Sequence, residues 1–302
     1  MIKAIGAGCL AAAIVTLSLS TPAKAGDPAI EDPNGLFSLK LGYERAGTGG
    51  GDQVFNGIGT PGIDFHQCRN NNCGGAPLGE TVIFGKPGGS SGFAGYGGTQ
   101  AALPLGHDFG AQFDGELGGF DTLGGGDATL HLFRGDPAIG LVGPMVSYRA
   151  LGDAGYLRAG AEAQYYWGNL TIYGNAAYQW GNDGSRVMVD SGLVGCGYLA
   201  YYPIDSLMLL AGGGGGAGEG AGFGQIEWQP FQQHTPGLSL FVQGMAGTDN
   251  SAAAFAGVQF HFGAGHSLEM RHRHELPLRN TGCGVEQFTT VGASIYNIFE
   301  IE

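Results

Sequence analysis

The chain has few basic residues and, beyond its N-terminus, no long apolar run. It carries 13 Lys and Arg against 26 Asp and Glu, a formal net charge of −13. This acidic balance argues against nucleic acid as a partner. After residue 25, no stretch approaches the roughly 18 apolar residues that a membrane helix needs, since residues 207–211 run straight into glycines. If the chain spans a membrane, it therefore does so with strands.

Other absences exclude further classes of protein. Gly contributes 61 of 302 residues without a G-X-Y period, which excludes collagen, and 17 Phe and 12 Tyr are more aromatic content than disordered chains carry. The Gly-rich run 212–222 lacks the Gly-Lys-Ser/Thr ending of a phosphate loop. His266 and Ser267 are neighbours whose side chains would point in opposite directions on a strand, and no other hydrolase-like set is visible. The sequence predicts neither an enzyme nor a cofactor.

The N-terminus has the three parts of an export signal. Lys3 precedes the apolar run 4–19, and the small-residue site 23–25 follows, which predicts a signal peptide over residues 1–25. Export implies an oxidising compartment, where Cys68 and Cys73, separated by four polar residues, are expected to form a small loop disulfide. A metal clip with His66 is the weaker interpretation, because it lacks a fourth ligand. The state of Cys196 and Cys283 cannot be read from the sequence.

The mature chain alternates apolar and polar side chains over twelve segments of about ten residues. The segments are 36–44, 92–103, 109–120, 128–134, 139–149, 156–167, 170–180, 191–202, 207–214, 221–229, 238–246 and 253–262. A soluble β-sandwich gives the same period, but the signal, the aromatic strand ends and the strand length favour a membrane barrel. We therefore predict an all-β fold, an up-and-down antiparallel transmembrane β-barrel in the bacterial outer membrane, over residues 26–263.

Two long segments lie outside the strand pattern. Residues 45–91 are polar and Gly-rich and are expected to form an exposed loop, whereas residues 264–302 are expected to be a periplasmic tail. Within this tail, residues 288–299 form a patterned run that an additional strand would also explain. In the tail, His272 and His274 suit a transition metal if the segment is extended, but with no third ligand nearby a solvated basic segment is the preferred interpretation.

The polar face of the predicted strands would line the barrel. Its members are Lys40, Asp114, Glu116, Arg158, Glu162, Gln164 and Glu227. The four acids oppose only two bases in this assignment, so an open lumen should favour cations. The alternative is that the charges pair and fill a narrow barrel, because 12 strands lie between filled 8-stranded barrels and open 16-stranded porins.

From residue 92 to residue 277 the chain resembles a family of porin-like outer-membrane β-barrel proteins of rhizobial and related α-proteobacteria. The resemblance rests on the stretches 131–143, 199–203 and 257–263, followed by the basic-histidine residues 271–273. It implies a membrane barrel and says little about substrate. Chains of that family commonly end soon after the basic-histidine segment, whereas this chain continues to Glu302 and does not end on an aromatic residue. We therefore expect Phe262 to close the barrel.

Together these features predict a channel for passive, cation-leaning diffusion of small solutes or ions. The expected partners are outer-membrane lipid and the barrel-assembly machinery. The alternative is a plugged structural or surface-interaction barrel that uses loop 45–91. No sequence feature selects an oligomeric state.

Overall fold

In the computed structural model, the strands close into one antiparallel barrel. The structure describes residues 28–30, 33–45, 91–120, 123–152, 154–182, 187–189, 191–216, 219–231, 234–235, 237–247, 251–262, 266–278 and 293–295. The predicted signal peptide and nearly all of loop 45–91 lie outside these residues, so both stay predictions.

Twelve strands form the barrel, and two short strands form a separate sheet. In chain order the strands are β1 (Asn34–Arg45), β2 (Ser91–Pro104), β3 (Phe109–Phe120), β4 (Leu123–Asp136), β5 (Gly140–Leu151), β6 (Ala154–Trp167), β7 (Leu170–Asn182), β8 (Val187–Val189), β9 (Gly192–Ile204), β10 (Leu207–Gly216), β11 (Glu219–Trp228), β12 (Leu238–Gly247), β13 (Ala252–Phe262) and β14 (Ala293–Ile295). Each barrel strand pairs with its neighbours along the chain, except that β7 pairs with β9 because β8 pairs with β14.

The barrel closes where β13 pairs with β1, in a register that runs from Gly35 opposite Phe262 to Arg45 opposite Ala252. The predicted 12-strand up-and-down barrel is thus confirmed, and a two-sheet sandwich is excluded. Of the run 288–299, only 293–295 lies within the described residues. These three residues form β14, which pairs with β8 and not with the barrel.

One strand boundary was predicted wrongly. Residues 121–127 were expected to form a loop, yet β4 already begins at Leu123. Its first residues pair with the end of β3, with Gly118 opposite Gly125 and Gly119 opposite Gly124. Glycines suggest a turn in a sequence, but facing glycines also let two strands approach closely, and only the pairing distinguishes the two cases.

The outer face of the barrel is apolar. On β1, Phe37 and Leu41 are 51% and 64% exposed, whereas the intervening Lys40 is 6% exposed. Aromatic side chains form a belt at each end. Trp167, Trp228 and Phe262 lie at the end with the short turns, and Tyr43, Tyr148 and Trp180 lie near the other end. A closed barrel with an apolar wall and two aromatic belts is the form that a protein of the bacterial outer membrane takes.

The two ends of the barrel differ in their connections. The "short-turn end" is the end at which two residues join β6 to β7 and two join β9 to β10. Loop 45–91 connects β1 to β2 at the opposite end, the "long-loop end". By the rule that bacterial barrels follow, the short-turn end faces the periplasm. Among the described residues, no helix has the length and hydropathy to cross a membrane.

After β13 the chain turns back to the barrel. Residues 266–278, here called the mouth segment, contain a helical turn, Leu268–Met270, continued by the π-helix Arg271–Glu275. Ser267 caps the turn by accepting a hydrogen bond from the Met270 amide at 3.3 Å. The mouth segment therefore has local structure of its own.

The backbone at Gly143 in β5 packs closely against β4. A Cβ at this position would overlap the carbonyl oxygen of Leu132 and lie 2.7 Å from the Cα of Phe133, both on β4. We expect Gly143→Val to lower the free energy of unfolding by about 3 kcal/mol, the upper part of the overpacking range, because backbone must move. Urea unfolding of the refolded barrel, followed by tryptophan fluorescence, measures the change.

The matched control for Gly143→Val is Gly124→Val. In the part of the chain that the structure describes, no heavy atom lies within 4 Å of a Cβ added to Gly124. This variant should unfold at the urea concentration of the parent protein. Equal stability of the two variants would contradict the packing seen between β4 and β5.

Candidate functional site

All seven residues that the sequence placed on the lumen face point into the barrel. Their exposed fractions range from 0% for Glu227 to 8% for Arg158. The strands that carry them are β1, β3, β6 and β11, each with apolar side chains at the alternate positions. All seven side chains are therefore on the inner face of the wall, and their role as pore lining stays a prediction.

The long-loop half of the interior holds a group of paired charges. Lys40 Nζ lies 2.9 Å from Glu116 Oε1 and also over the ring of Tyr96, 4.9 Å from its centroid. The Tyr96 hydroxyl donates a hydrogen bond of 2.9 Å to Glu44. Strands β1, β2 and β3 are neighbours in the barrel, so these side chains lie beside one another on its inner surface.

Two bases of the interior were missed in the sequence. The acids were expected to oppose only Lys40 and Arg158, but Arg149 on β5 is 4% exposed and lies 3.5 Å from Asp127, and His131 on β4 is also buried. Both belong to the inward set of their strands, which Thr129 and Ser147 share. Both lie within the predicted strands 128–134 and 139–149, so following the alternation through every residue of these strands would have found them.

His131 is at the centre of a second group, midway along the barrel. Its Nδ1 lies 2.6 Å from Glu162 Oε1 and its Nε2 lies 3.4 Å from Asp114 Oδ2. Neutral groups satisfy the remaining oxygens, since Tyr173 donates to Glu162 at 3.0 Å and Gln112 donates to Asp114 at 2.8 Å. One imidazole thus bridges two buried carboxylates that come from different strands.

The mouth segment occupies the interior of the short-turn end. The Arg273 guanidinium donates to the carbonyl oxygens of Gly168 at 2.7 Å and Leu170 at 3.2 Å, at the turn between β6 and β7. Gln164 donates to the carbonyl of Pro277 at 2.6 Å. On β3, Gln112 exchanges hydrogen bonds with the backbone of Leu278. The segment is therefore fastened to several strands around the barrel.

A solvated basic segment was the preferred interpretation of residues 271–274, and it is wrong. Arg271 is 0% exposed and its Nη1 lies 3.0 Å from the Glu275 carboxylate. Burial lowers the pKa of the Arg271 guanidinium, and Glu275 opposes that shift. Leu268, Leu276 and Leu278 join the apolar cluster of the interior. Burial of these leucines favours the inward position of the segment, and no sequence pattern indicated where they would pack.

A third group lies between the mouth segment and the wall. His261 on β13 and His272 on the mouth segment both approach Glu227 on β11, with Nε2 to carboxylate oxygen distances of 3.6 and 3.7 Å. One ligand atom from each residue lies within 4.8 Å of the other two, and all three residues are buried. From the sequence, His272 was paired with His274 as a possible metal site. In the structure, the residues close to His272 are Glu227 and His261, on two strands of the wall.

The predicted disulfide is not among the described features. Cys68 and Cys73 both fall outside the described residues, so their pairing stays a prediction. Cys196, on β9, is the one cysteine that the structure describes.

Comparison with solved structures finds outer-membrane barrels at low sequence identity. No family model and no curated protein matches the chain, so the resemblance to the rhizobial porin-like family gains no support. Among solved structures, a KdgM porin in complex with disordered oligogalacturonate has a TM-score of 0.48 at 8% identity, covering 75% of this chain and 99% of that chain. A NanC porin gives 0.45 at 7% identity, covering 74% and 98%.

An enzyme is also among the similar structures. The outer membrane phospholipase A from Escherichia coli has a TM-score of 0.43 at 13% identity, covering 78% of this chain and 98% of that chain. At these values the likeness does not distinguish a channel from an enzyme. The barrel assignment rests on the closed strand order and the two faces of the wall.

Proposed function

We propose that this protein is a narrow, porin-like channel for passive diffusion of small solutes and ions across the outer membrane. The observation that carries the proposal is the polar inner face, which continues from Glu44 near the long-loop end to Glu227 at the short-turn end. An apolar interior would suffice for a barrel that only anchors a surface loop. Charged and amide side chains at every level of the interior are suited to hydrated solutes.

The mouth segment sets the width of this route. It fills the interior at the short-turn end, and the charged pairs narrow the rest. A 12-stranded barrel lies between the filled 8-stranded and the open 16-stranded forms, so one inserted segment changes its free cross-section strongly. We therefore propose that the described arrangement passes small ions slowly and excludes larger solutes.

A weak cation preference forms part of the proposal. The buried charged side chains of the described strands comprise six carboxylates and three permanent bases. The carboxylates are Glu44, Asp114, Glu116, Asp127, Glu162 and Glu227, and the bases are Lys40, Arg149 and Arg158. Acids outnumber bases, but several are paired, so the preference should be smaller than the bare acid count suggests.

Charge variants near the long-loop end measure this preference. We expect the double change Glu44→Gln, Glu116→Gln to lower the cation-to-anion permeability ratio about twofold, because two negative charges leave the pathway. Lys40→Met is the matched control and should raise the ratio. The reversal potential in a KCl gradient across a planar bilayer reports both. Shifts in the same direction, or none, would contradict an ion pathway past these side chains.

The mouth segment also favours a second candidate, a closed barrel that presents loop 45–91 to other molecules. Single-channel recording separates the two functions. Discrete, voltage-stable steps from the refolded mature protein support the channel. A barrel that is folded by heat-modifiable migration, yet gives no steps even without its mouth segment, supports the structural protein.

A further inference from the structure

We propose that Glu227, His261 and His272 bind one zinc ion that fastens the mouth segment to the barrel wall. The three residues belong to different elements: Glu227 to β11, His261 to β13 and His272 to the π-helix. The site goes beyond the channel proposal, and zinc binding does not depend on whether the barrel conducts.

The spacing of the three side chains suits zinc. Around a tetrahedral ion with bonds of about 2.0–2.1 Å, two ligand atoms are roughly 3.4 Å apart. His261 Nε2 lies 3.6 Å from Glu227 Oε1, and His272 Nε2 lies 3.7 Å from Glu227 Oε2. Each imidazole is thus close to that distance from the carboxylate, and both distances are too long for a good hydrogen bond. Two imidazoles and one carboxylate form a recurrent zinc set, with a fourth position for water.

His261 provides a second and independent observation. It is 3% exposed, yet neither Nδ1 nor Nε2 has a hydrogen-bond partner among the described residues. A buried imidazole with two unsatisfied nitrogens costs about 1–3 kcal/mol for each group left unpaired. A metal bond from Nε2 to an ion beside Glu227 removes that cost for one of the two nitrogens.

The surrounding groups orient the other two ligands. The Tyr202 hydroxyl lies 3.0 Å from His272 Nδ1, which leaves Nε2 to face Glu227. Ser239 donates a hydrogen bond of 2.8 Å to Glu227 Oε1. Metal-bound histidines and carboxylates are regularly held in this way by outer partners, which fix the ring and raise the basicity of the ligand.

The test measures zinc in the refolded, untagged full-length mature protein. We expect one zinc ion per chain after equilibrium dialysis, determined by mass spectrometry of the metal. Each of Glu227→Gln, His261→Gln and His272→Gln should lower the affinity by about 100-fold or more, because each removes a direct ligand. Tyr202→Phe should lower it about 10- to 100-fold, as loss of an outer partner does.

His274→Gln is the matched control, since His274 is buried on the same π-helix but is not one of the three ligands. It should keep one zinc ion. Cobalt(II) added to the parent protein gives a readout that needs no variant, because tetrahedral coordination produces strong visible absorption bands. Binding of no metal by the folded parent would overturn the proposal. Equal zinc content in the parent and all three ligand variants would also overturn it.

Discussion

In a planar bilayer, a chain that ends at Phe262 is expected to have a conductance at least about fivefold higher than that of the full-length protein. The change removes the mouth segment and everything after it. β13 ends at Phe262 and pairs with β1 along its whole length, so the barrel keeps its twelve strands. Conductance grows with open cross-section, and the segment fills the interior at one end of a barrel of intermediate width.

The size of the effect follows from how the mouth segment is held. Most of its side chains are buried within the opening, with Arg271 and Leu268 both 0% exposed. Removing such a segment widens the route for solvent at the short-turn end. Larger uncharged solutes should enter as well, which liposome-swelling rates in sugars of increasing size would show.

The matched control is a chain that ends at Leu278. It keeps the mouth segment with its bonds to Gln112 and Gln164, and it lacks only the residues that follow. Its conductance should equal that of the full-length protein. Both truncated chains must show the heat-modifiable migration of a folded barrel. Equal conductance of all three proteins would mean that the mouth segment does not restrict the pathway.

The alternation of apolar and polar side chains predicted most of the fold. It located all twelve barrel strands, because a strand between lipid and a polar interior must change character at every residue. The same period placed Glu162 and Gln164 inward before their contacts were known. It missed the start of β4 at residues 123–127. The glycines that face each other there have no side chain to show which face points into the barrel.

The contacts inside the barrel could not be predicted from the sequence, for a physical reason. A periodic pattern tells which way a side chain points but not which side chain it meets across the lumen. Glu227 and His261 lie on β11 and β13, and His272 arrives after a reversal of the chain. No spacing rule links them. The burial of the mouth segment depends likewise on leucines packing in a space that exists only once the barrel has closed.

Replacing His131 by Leu is expected to lower the free energy of unfolding by about 3–5 kcal/mol. The imidazole bridges Glu162 at 2.6 Å and Asp114 at 3.4 Å, and these carboxylates are 2% and 3% exposed. Leucine removes the group between them and leaves two buried negative charges facing each other. Loss of one partner from a buried ion pair has costs of this size, because the remaining charge is neither solvated nor paired.

Urea unfolding of the refolded barrel, followed by tryptophan fluorescence, measures the loss. His107→Leu is the control, since His107 lies in the exposed turn between β2 and β3 and its bond to Asp108 is open to solvent. It should change stability by less than about 1 kcal/mol. The triple change His131→Leu, Asp114→Asn, Glu162→Gln should recover most of the stability, because no buried charge is left unpaired. If the triple variant is no more stable than His131→Leu alone, the loss comes from packing around the imidazole and not from the two carboxylates.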